Sequence, residues 1–427
     1  MPERRVAVIA GCRTPFARSG TVFRDLSAVE LGKACVRELL ERTEVDPASI
    51  GAVVMGQVVP SVKVPNLARE VGLGAGLLPK EVPAHTVNRA CASASQAIAD
   101  VAAEIRLGHL DVGIAGGAEC LSDVPIPLSR RLARALVEAQ RAKSLGARLS
   151  LLAKLRPRDL VPDWPAIAEP STGLTMGQSA EKMAKENGIT REEQDRIALA
   201  SHRNGWAATE DGRLPREMCT VFVPPRYEPV STDNLLRRDT SLEALAALPP
   251  AFDKRYGSVT AGNSSALTDG AAAVLLMAED KARAAGHEPI AFVRSWAVAA
   301  VDPGGQLLMG PALAVPLALD RAAVNLSEIE LVEMHEAFAA QVASNIQALE
   351  SERWAREKLG RAKPVGKVNR DRLNVCGGSI ALGHPFGATG ARLVTTLANE
   401  MKRRGARLGL VSVCAQGGMG FAMVLER

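Results

Sequence analysis

Residues 39–55, LLERTEVDPASIGAVVM, have the pattern of a helix, a short polar turn and an apolar strand. Residues 318–334, ALDRAAVNLSEIELVEM, align with them without a gap and show the same pattern. A second pair follows: a helix over 93–107 that leads to a strand at 111–115, and a helix over 390–404 that leads to a strand at 408–413. Both helices stop at a glycine, Gly108 and Gly405, the residue expected just past a helix end. Such self-similarity predicts a duplicated α/β fold with two similar βα halves.

Alternating strands and helices predict right-handed crossovers and parallel strands within each half. In such folds, active sites gather at strand C-termini and helix N-termini. Region 121–249 is rich in proline and charge, which predicts an inserted loop domain between the halves. Strand character returns at 258–261 and 271–277. We therefore assign residues 1–120 plus 250–285 to the first half and residues 286–427 to the second.

The composition excludes several classes of protein. The chain has 427 residues, enough for two or three domains, and a net charge of +5 from 52 basic and 47 acidic residues. This balance does not indicate a nucleic-acid partner. Seven scattered cysteines without a C-x-x-C pair argue against a disulfide framework or a structural zinc site. The first residues enter a strand at once and no apolar run reaches membrane-spanning length, so we expect a cytoplasmic protein.

Three side chains stand at element ends in glycine-rich or small-residue surroundings. Cys91 directly precedes the helix over 93–107, where the helix dipole and free N–H groups favour a thiolate. His384 lies between Gly383 and a proline, and an imidazole there could accept a thiol proton. Cys414 follows an apolar strand and precedes a glycine cluster. The bland alternative is a turn histidine and two buried cysteines that act as small hydrophobic groups.

A histidine and a glutamate, His335 and Glu336, follow the strand predicted at 330–334. A histidine at this strand end could donate to a carbonyl oxygen. The zinc-protease pattern H-E-x-x-H would need a second histidine at position 339, which is Ala339.

Together and in this order, these motifs resemble the thiolase family over nearly the whole chain. The segments that carry the resemblance are 13–16 (RTPF), 88–95 (NRACASAS), 115–119 (AGGAE), 175–181 (TMGQSAE), 193–195 (EQD), 261–265 (AGNSS), 268–271 (TDGA), 377–385 (GGSIALGHP) and 414–420 (CAQGGMG). The resemblance implies two similar halves in a five-layered αβαβα sandwich. It also implies an acyltransferase that acts on thioesters of coenzyme A (CoA) and needs no cofactor, since CoA is a substrate.

The resemblance also implies the roles of individual residues. Cys91 matches the acyl-accepting nucleophile, His384 the base that activates it and contributes to an oxyanion hole, and Cys414 the second acid/base. The backbone N–H groups of Cys91 and Gln416 match oxyanion donors, although the family often has glycine at position 416. The residues that match substrate-binding positions are Ser265 for the pantetheine, Met176 for the pocket lining and Arg237 for the CoA nucleotide.

One departure from the family pattern narrows the expected reaction. Most thiolases carry asparagine where this chain has His335, and the His-Glu-Ala-Phe version is similar to the β-subunit of the fatty-acid oxidation trifunctional complex. This favours thiolytic cleavage of 3-ketoacyl-CoA in β-oxidation. A biosynthetic acetoacetyl-CoA thiolase and an inactive CoA-ester-binding protein remain alternatives. A decarboxylating ketoacyl synthase shares the architecture, but Cys414 in its glycine cluster argues against it.

Leucines and basic residues crowd one stretch of the inserted region, residues 128–158. The pattern indicates either a solvated helical face or a basic amphipathic surface for a partner subunit, a membrane or the CoA phosphates. The resemblance favours peripheral membrane contact or a hydratase/dehydrogenase α-subunit as partner. It further implies a homodimer or homotetramer.

Overall fold

The two halves form one continuous sheet in the computed structural model of the protein, which describes residues 4–162 and 168–427. The strands are β1 (Val6–Arg13), β2 (Ala17–Arg18), β3 (Ala52–Gly56), β4 (Ala84–Val87), β5 (Val112–Glu119), β6 (Val221–Val223), β7 (Glu228–Val230), β8 (Thr268–Ala278), β9 (Ala291–Ala300), β10 (Leu331–Met334), β11 (Leu408–Ala415) and β12 (Met419–Glu426). The α-helices are α1 (Ala28–Thr43), α2 (Leu67–Gly74), α3 (Ser93–Arg106), α4 (Arg130–Arg141), α5 (Leu145–Ala153), α6 (Met176–Asn187), α7 (Arg191–Glu210), α8 (Leu242–Ala246), α9 (Glu279–Ala284), α10 (Pro311–Ala322), α11 (Ala339–Glu350), α12 (Glu352–Leu359), α13 (Ser379–Leu382) and α14 (Thr389–Arg404).

The strand order repeats in the two halves, as the sequence predicts. The main sheet runs β10-β11-β12-β9-β1-β8-β5-β3-β4, and β1 joins β9 at its centre. The parallel pair β3–β5 of the first half corresponds to β10–β11 of the second. The expectation of parallel strands within each half holds for β3–β4, β3–β5 and β10–β11. It was wrong for β8 and β12, which run antiparallel to their neighbours. A tight turn with Gly417 and Gly418 joins β11 to β12, and such a connection produces an antiparallel pair.

The alternating side chains of the strands separate three apolar layers, which confirms the five-layered sandwich. In β8, Ala272, Val274 and Leu276 face one cluster, whereas Ala273 and Leu275 face another, the period expected of a strand buried on both sides. The first cluster lies between the two halves and contains α3 and α14. The second contains α1 and α2, and a third contains α10 and α11 on the outer face of the second half.

The central layer depends on very close approaches between the halves. Gly390, in the first turn of α14, lies against α3, and a Cβ there would stand 2.5 Å from the backbone nitrogen of Ser95. A Cβ on Gly117, at the end of β5, would overlap the carbonyl oxygen of Gly387. Only glycine permits such backbone contacts, so the starts of α3 and α14 meet with little side-chain volume between them.

The inserted region contains more regular structure than its sequence pattern indicates. It includes the helices α4 to α8 and the two-stranded sheet β6–β7. The strand expected at 258–261 is absent; in that stretch Thr260 forms an isolated bridge with Pro250. Its backbone is instead held by the carboxylate of Glu181, which accepts hydrogen bonds from the N–H groups of Ser258 and Val259, both at 2.9 Å.

We predict that Gly390→Ala destabilises the protein by about 1–3 kcal/mol, because the added methyl group overlaps Ser95 in a filled interior. The thermal midpoint of unfolding measures the effect. Gly146→Ala in α5 is the matched control, since a Cβ there meets nothing within 4 Å. An unchanged midpoint for Gly390→Ala would contradict the close packing of α3 against α14.

Candidate active site

Cys91 lies in a strained turn directly before α3. The preceding residue, Ala90, has a left-handed backbone with φ of 46°. The turn is held by Asn88 Oδ1, which accepts the Ala90 N–H at 2.9 Å, and by Ser93 Oγ, which accepts the Arg89 N–H at 2.8 Å. A non-glycine residue in this conformation persists only where its surroundings enforce it. The turn thereby leaves Cys91 half-buried at the start of the helix.

Two histidines of the second half converge on this thiol, as the sequence predicts for His384 and His335. His384 follows Gly383, whose φ of 97° is a value that glycine adopts without steric cost. His384 donates its backbone N–H to Thr268 Oγ1 at 3.0 Å. His335 follows β10. The two rings have centroids 4.1 Å apart, and the Cys91 sulfur and one nitrogen of each ring all lie within 4.8 Å of one another.

Each imidazole is anchored through Nδ1. His335 Nδ1 lies 2.8 Å from Ser379 Oγ, and His384 Nδ1 lies 2.6 Å from Thr389 Oγ1. Both Nε2 atoms are buried without a hydrogen-bond partner among the described residues. A buried polar atom without a partner is costly, so two of them in one place indicate a site that a ligand completes.

Burial keeps both imidazoles neutral. It lowers the pKa of His384 to about 3, and the positive charge of Arg392 acts in the same direction. The pKa of His335 is also lowered, first by burial and then by the charges of His384 and Arg392. Near pH 7, each ring therefore carries one proton and can act either as a base or as a neutral donor.

The expectation of a thiolate at Cys91 was wrong for the unliganded site. Burial raises the pKa of the Cys91 thiol to about 12. The backbone N–H groups of Gln416 and of Cys91 itself lower it, as the helix-end argument expects, but by less than burial raises it. Both N–H groups therefore lie close to the sulfur. The thiol thus needs a base before it can attack.

Cys414 approaches the same site from the end of β11. It is buried, and burial followed by electrostatic interaction with Cys91 raises the pKa of its thiol well above the ordinary value. The backbone N–H of Ala337, two residues after His335, also interacts with this sulfur. The structure therefore brings together the two cysteines, both histidines and the backbone of Gln416.

The turn that carries Gln416 is held by the inserted region. Gln416 Nε2 donates to the carbonyl oxygen of Ala168 at 2.9 Å, and the Gly417 N–H donates to Glu169 Oε2 at 2.9 Å. The glutamine side chain that replaces the family's glycine therefore points toward the inserted region, and its backbone N–H stays directed at Cys91.

Comparison with known proteins identifies this arrangement. Residues 6–280 match the thiolase N-terminal domain, and residues 287–427 match the thiolase C-terminal domain. The chain belongs to the thiolase family. It is 51% identical over 422 residues to the 3-ketoacyl-CoA thiolases of Serratia proteamaculans and Escherichia fergusonii, covering 99% of this chain and 97% of each relative. The crystal structure of the Bacillus anthracis acetyl-CoA acetyltransferase superposes with a TM-score of 0.84 at 34% identity and covers 99% of both chains.

Sequence reasoning missed Glu119, a buried carboxyl group beside this thiolase site. Glu119, at the end of β5, accepts backbone hydrogen bonds from Val58, Val59 and Gly387 at 2.9–3.0 Å, and its charge raises the pKa of Cys91. Burial raises the pKa of Glu119 itself to about 7. The segment 115–119 resembles the family, but the two loops that donate to Glu119, at residues 58–59 and at Gly387, come from distant parts of the chain.

The predicted substrate-binding residues lie beside the thiolase site in two places. Ser265 and Arg237 both line a cavity of about 610 Å³. This cavity borders the segment 264–267, which is bridged to Phe338 and to His384. Met176, the first residue of α6, packs instead against the apolar cluster that contains Cys414.

The spacing of Cys91, His335 and His384 would also allow these three donors to coordinate a metal ion. Thiolate and imidazole are ligands that zinc prefers. The resemblance to thiolases assigns the same three groups to acyl and proton transfer, so a bound metal ion would compete with those expected roles.

We predict that Cys91 reacts with iodoacetamide before any other cysteine. All seven cysteines lie in described residues, and Cys91 is partly exposed whereas the other six are buried. Peptide mass spectrometry after brief alkylation should place the first label on Cys91, and Cys91→Ser should remove it. First labelling of Cys12 or Cys376 would contradict the accessibility of the site.

Proposed function

We propose that the protein is a 3-ketoacyl-CoA thiolase that cleaves its substrate with CoA into acetyl-CoA and a shortened acyl-CoA. One observation carries the proposal: the Cys91 sulfur lies within 4.8 Å of a nitrogen of His335 and of His384, whose Nε2 atoms have no hydrogen-bond partner among the described residues, and the Cys414 thiol is near enough to interact with Cys91. A nucleophile, a base, oxyanion donors and a second acid/base are the groups that this reaction needs.

The first step is activation of the nucleophile. His384 Nε2 accepts the proton of Cys91, and the thiolate attacks the 3-keto carbon of the substrate. The oxyanion that forms on that carbon is held by the backbone N–H groups of Cys91 and Gln416. Because these donors are fixed by the start of α3 and by the turn after β11, they need not reorganise during the reaction.

The second step breaks the carbon–carbon bond. Collapse of the tetrahedral intermediate leaves the acyl group on Cys91 and expels the enolate of acetyl-CoA. His335 and His384 stabilise the enolate oxygen, and Cys414 gives its proton to the carbon. A buried thiol whose pKa is raised holds a proton at neutral pH, so it can serve as this acid.

The third step releases the product. Cys414, left as a thiolate by the second step, accepts the proton of the thiol of a second CoA, which attacks the acyl-Cys91 thioester. Cys91 leaves and takes back its proton from His384, so that both cysteines end as thiols. Run backward, the same groups perform a Claisen condensation. Each step uses groups of this chain and the two substrates, so we propose that coenzyme A acts as substrate and that no further cofactor takes part.

For the binding of CoA we propose the cavity lined by Ser265 and Arg237. A hydroxyl group can bond the amide-rich pantetheine, and a guanidinium group suits the phosphates of the nucleotide. Met176, next to the cluster of Cys414, would contact the acyl part of the substrate.

We predict that Cys91→Ala abolishes acyl-enzyme formation, since no other thiol can take its place at the start of α3. Cys414→Ala should still become acylated by an acyl-CoA, but its thiolysis should fall by on the order of 100-fold or more because the enolate carbon lacks its acid. Intact-protein mass spectrometry measures acylation, and the absorbance of the 3-ketoacyl-CoA enolate follows thiolysis.

Full thiolysis by Cys91→Ala would contradict the proposed function. A profile of 3-ketoacyl-CoA chain lengths on the unmodified protein distinguishes the degradative enzyme from a biosynthetic acetoacetyl-CoA thiolase. Activity on long chains supports the former, and activity on acetoacetyl-CoA alone supports the latter. A total lack of thiolysis would favour an inactive CoA-ester-binding protein.

We further propose that the helical hairpin formed by α4 and α5 contacts a membrane surface. Nearly all side chains of α5 and most of those of α4 are exposed, and Leu145, Leu149 and Leu152 lie on one face of α5. Basic residues flank this face, among them Arg141 and Arg148. An exposed apolar face with flanking basic groups suits binding at an anionic lipid interface. No α-helix in the described ranges has the length and apolar character needed to cross a bilayer.

We predict salt-sensitive binding to vesicles that contain phosphatidylglycerol, measured by co-sedimentation. Leu145→Ser combined with Leu149→Ser should weaken it at low salt, and raising the salt should weaken it for the unmodified protein. Gly146→Ala is the matched control on the same helix. Absence of binding at low salt would overturn membrane contact and leave an α-subunit or a solvated face for the hairpin.

The proposal also includes the oligomeric state of the protein and its cellular compartment. β4 is an edge strand of the main sheet, and an open edge can pair with a second copy, which supports a homodimer or homotetramer. Seven free cysteines suit a reducing compartment, so the cytoplasm remains our prediction.

A further inference from the structure

The proposed reaction asks two neighbouring imidazoles to behave differently. His384 must present a free lone pair to Cys91, whereas His335 must present an N–H to the substrate oxygen. Both rings are buried, both direct Nε2 into the site, and their centroids are only 4.1 Å apart. The difference must therefore come from the groups that contact Nδ1, because the proton on one ring nitrogen is set by the hydrogen bond at the other.

The partner of His335 is a hydroxyl group that already accepts a hydrogen bond. Ser379 Oγ accepts from Arg392 at 3.0 Å, and a guanidinium group can only donate. Among the described residues, the other polar contact of this hydroxyl is His335 Nδ1 at 2.8 Å. Of these two contacts, only Nδ1 can accept the hydroxyl hydrogen, and its donation there places the ring proton of His335 on Nε2.

The partner of His384 is oriented in the opposite sense. Thr389 Oγ1 lies 3.3 Å from the carbonyl oxygen of Pro385, which can only accept. When the hydroxyl hydrogen points to that carbonyl, Oγ1 is left to accept from His384 Nδ1 at 2.6 Å. The ring proton of His384 then lies on Nδ1, and its Nε2 presents a lone pair toward Cys91.

We propose that Ser379 and Thr389 are positioning residues that assign opposite tautomers to the two histidines. Ser379, held by Arg392, makes His335 an Nε2–H donor, and Thr389, held by the Pro385 carbonyl, makes His384 an Nε2 base. Neither hydroxyl touches substrate. They act through the rings. The part that the two tautomers play in catalysis rests on the proposed thiolase function.

The assignment balances the protons of the first two steps. At rest the pair offers one donor and one acceptor. After His384 takes the proton of Cys91, both Nε2 atoms carry hydrogen, and both can donate to the enolate oxygen that forms next. With two donors at rest, the thiol would lack a base; with two bases, the substrate oxygen would lack a donor.

Arg392 fixes the direction of the hydrogen bond at Ser379. It is fully buried and its guanidinium also contacts Glu333 at 3.2 Å. Since it keeps its protons over the whole working range, it never accepts a hydrogen bond from Ser379. Glu333 lies on β10, two residues before His335, so the ion pair holds Arg392 close to this histidine.

Nitrogen NMR of the resting protein tests the inference directly. The chain has six histidines, so selective ¹⁵N-histidine labelling gives a small set of ring signals, which His335→Asn and His384→Asn assign. Long-range ¹H–¹⁵N correlation distinguishes the tautomers. We expect Nε2–H for His335 and Nδ1–H for His384. The same tautomer on both rings would overturn the proposal.

Two pairs of variants separate positioning from simple structural support. Ser379→Ala should shift His335 away from the pure Nε2–H form and lower kcat on the order of 10- to 100-fold with little change in KM, because a transition-state donor is lost. Ser379→Thr keeps the hydroxyl and should restore the tautomer. Thr389→Val and Thr389→Ser form the corresponding pair for His384.

A lower kcat for Ser379→Ala with an unchanged His335 tautomer would overturn the inference. The NMR measurement uses the resting protein without substrate, so its result is independent of the proposed function. Thiolysis by Cys91→Ala would contradict the proposed function without affecting the tautomer assignment. Tautomers other than those expected would contradict the assignment without affecting the proposed function.

Discussion

The contact between the starts of α3 and α14 is the constraint on which the rest of the structure depends. These helices come from different halves and share the central layer, where Gly390 packs against Ser95 and Gly117 against the backbone of Gly387. A larger residue at either glycine would separate the halves. Because Cys91 precedes one helix and His384 precedes the other, this packing sets the distance between nucleophile and base. Stability and chemistry therefore share one interface, and the site exists only when both halves are folded.

Much of the fold could be predicted from the sequence, because a repeat and a glycine stop are local signals. The helix expected over 93–107 is α3, one residue shorter, and the helix expected over 390–404 is α14, one residue longer. Strand direction could not be predicted from the alternation alone. β8 returns to the sheet after a long insertion, and β12 after a three-residue turn, so neither follows a helical crossover. The stretch 258–261 has strand composition, but the carboxylate of Glu181 takes the backbone N–H groups that a neighbouring strand would bond.

The residues of the candidate site were visible in the sequence, whereas their protonation was not. A histidine between a glycine and a proline, and cysteines next to small-residue or glycine-rich segments, are rare enough to be noticed. The pKa of Cys91 depends on the burial of the thiol and on the charge of Glu119. Folding brings these two residues together, so neither effect is visible in the sequence. The same is true of Ser379, Thr389 and Arg392, whose types are ordinary and whose importance lies in which atom each one faces. Sequence reasoning therefore found the cysteine and the histidines that the fold brings together and missed the hydroxyl groups that contact the two rings.

The bracing of the turn after β11 has a consequence for redesign of the enzyme. Ala168 and Glu169 belong to the inserted region, yet they hold the backbone whose N–H faces the nucleophile. A protein engineer could exchange this inserted region for that of a relative in order to change the acyl-chain preference. Here such a transplant would also replace the support of a catalytic donor, so a chimera could lose turnover before any change in selectivity became measurable. Retaining residues 168 and 169 with the host scaffold, and placing the splice points outside them, would keep specificity and rate separable.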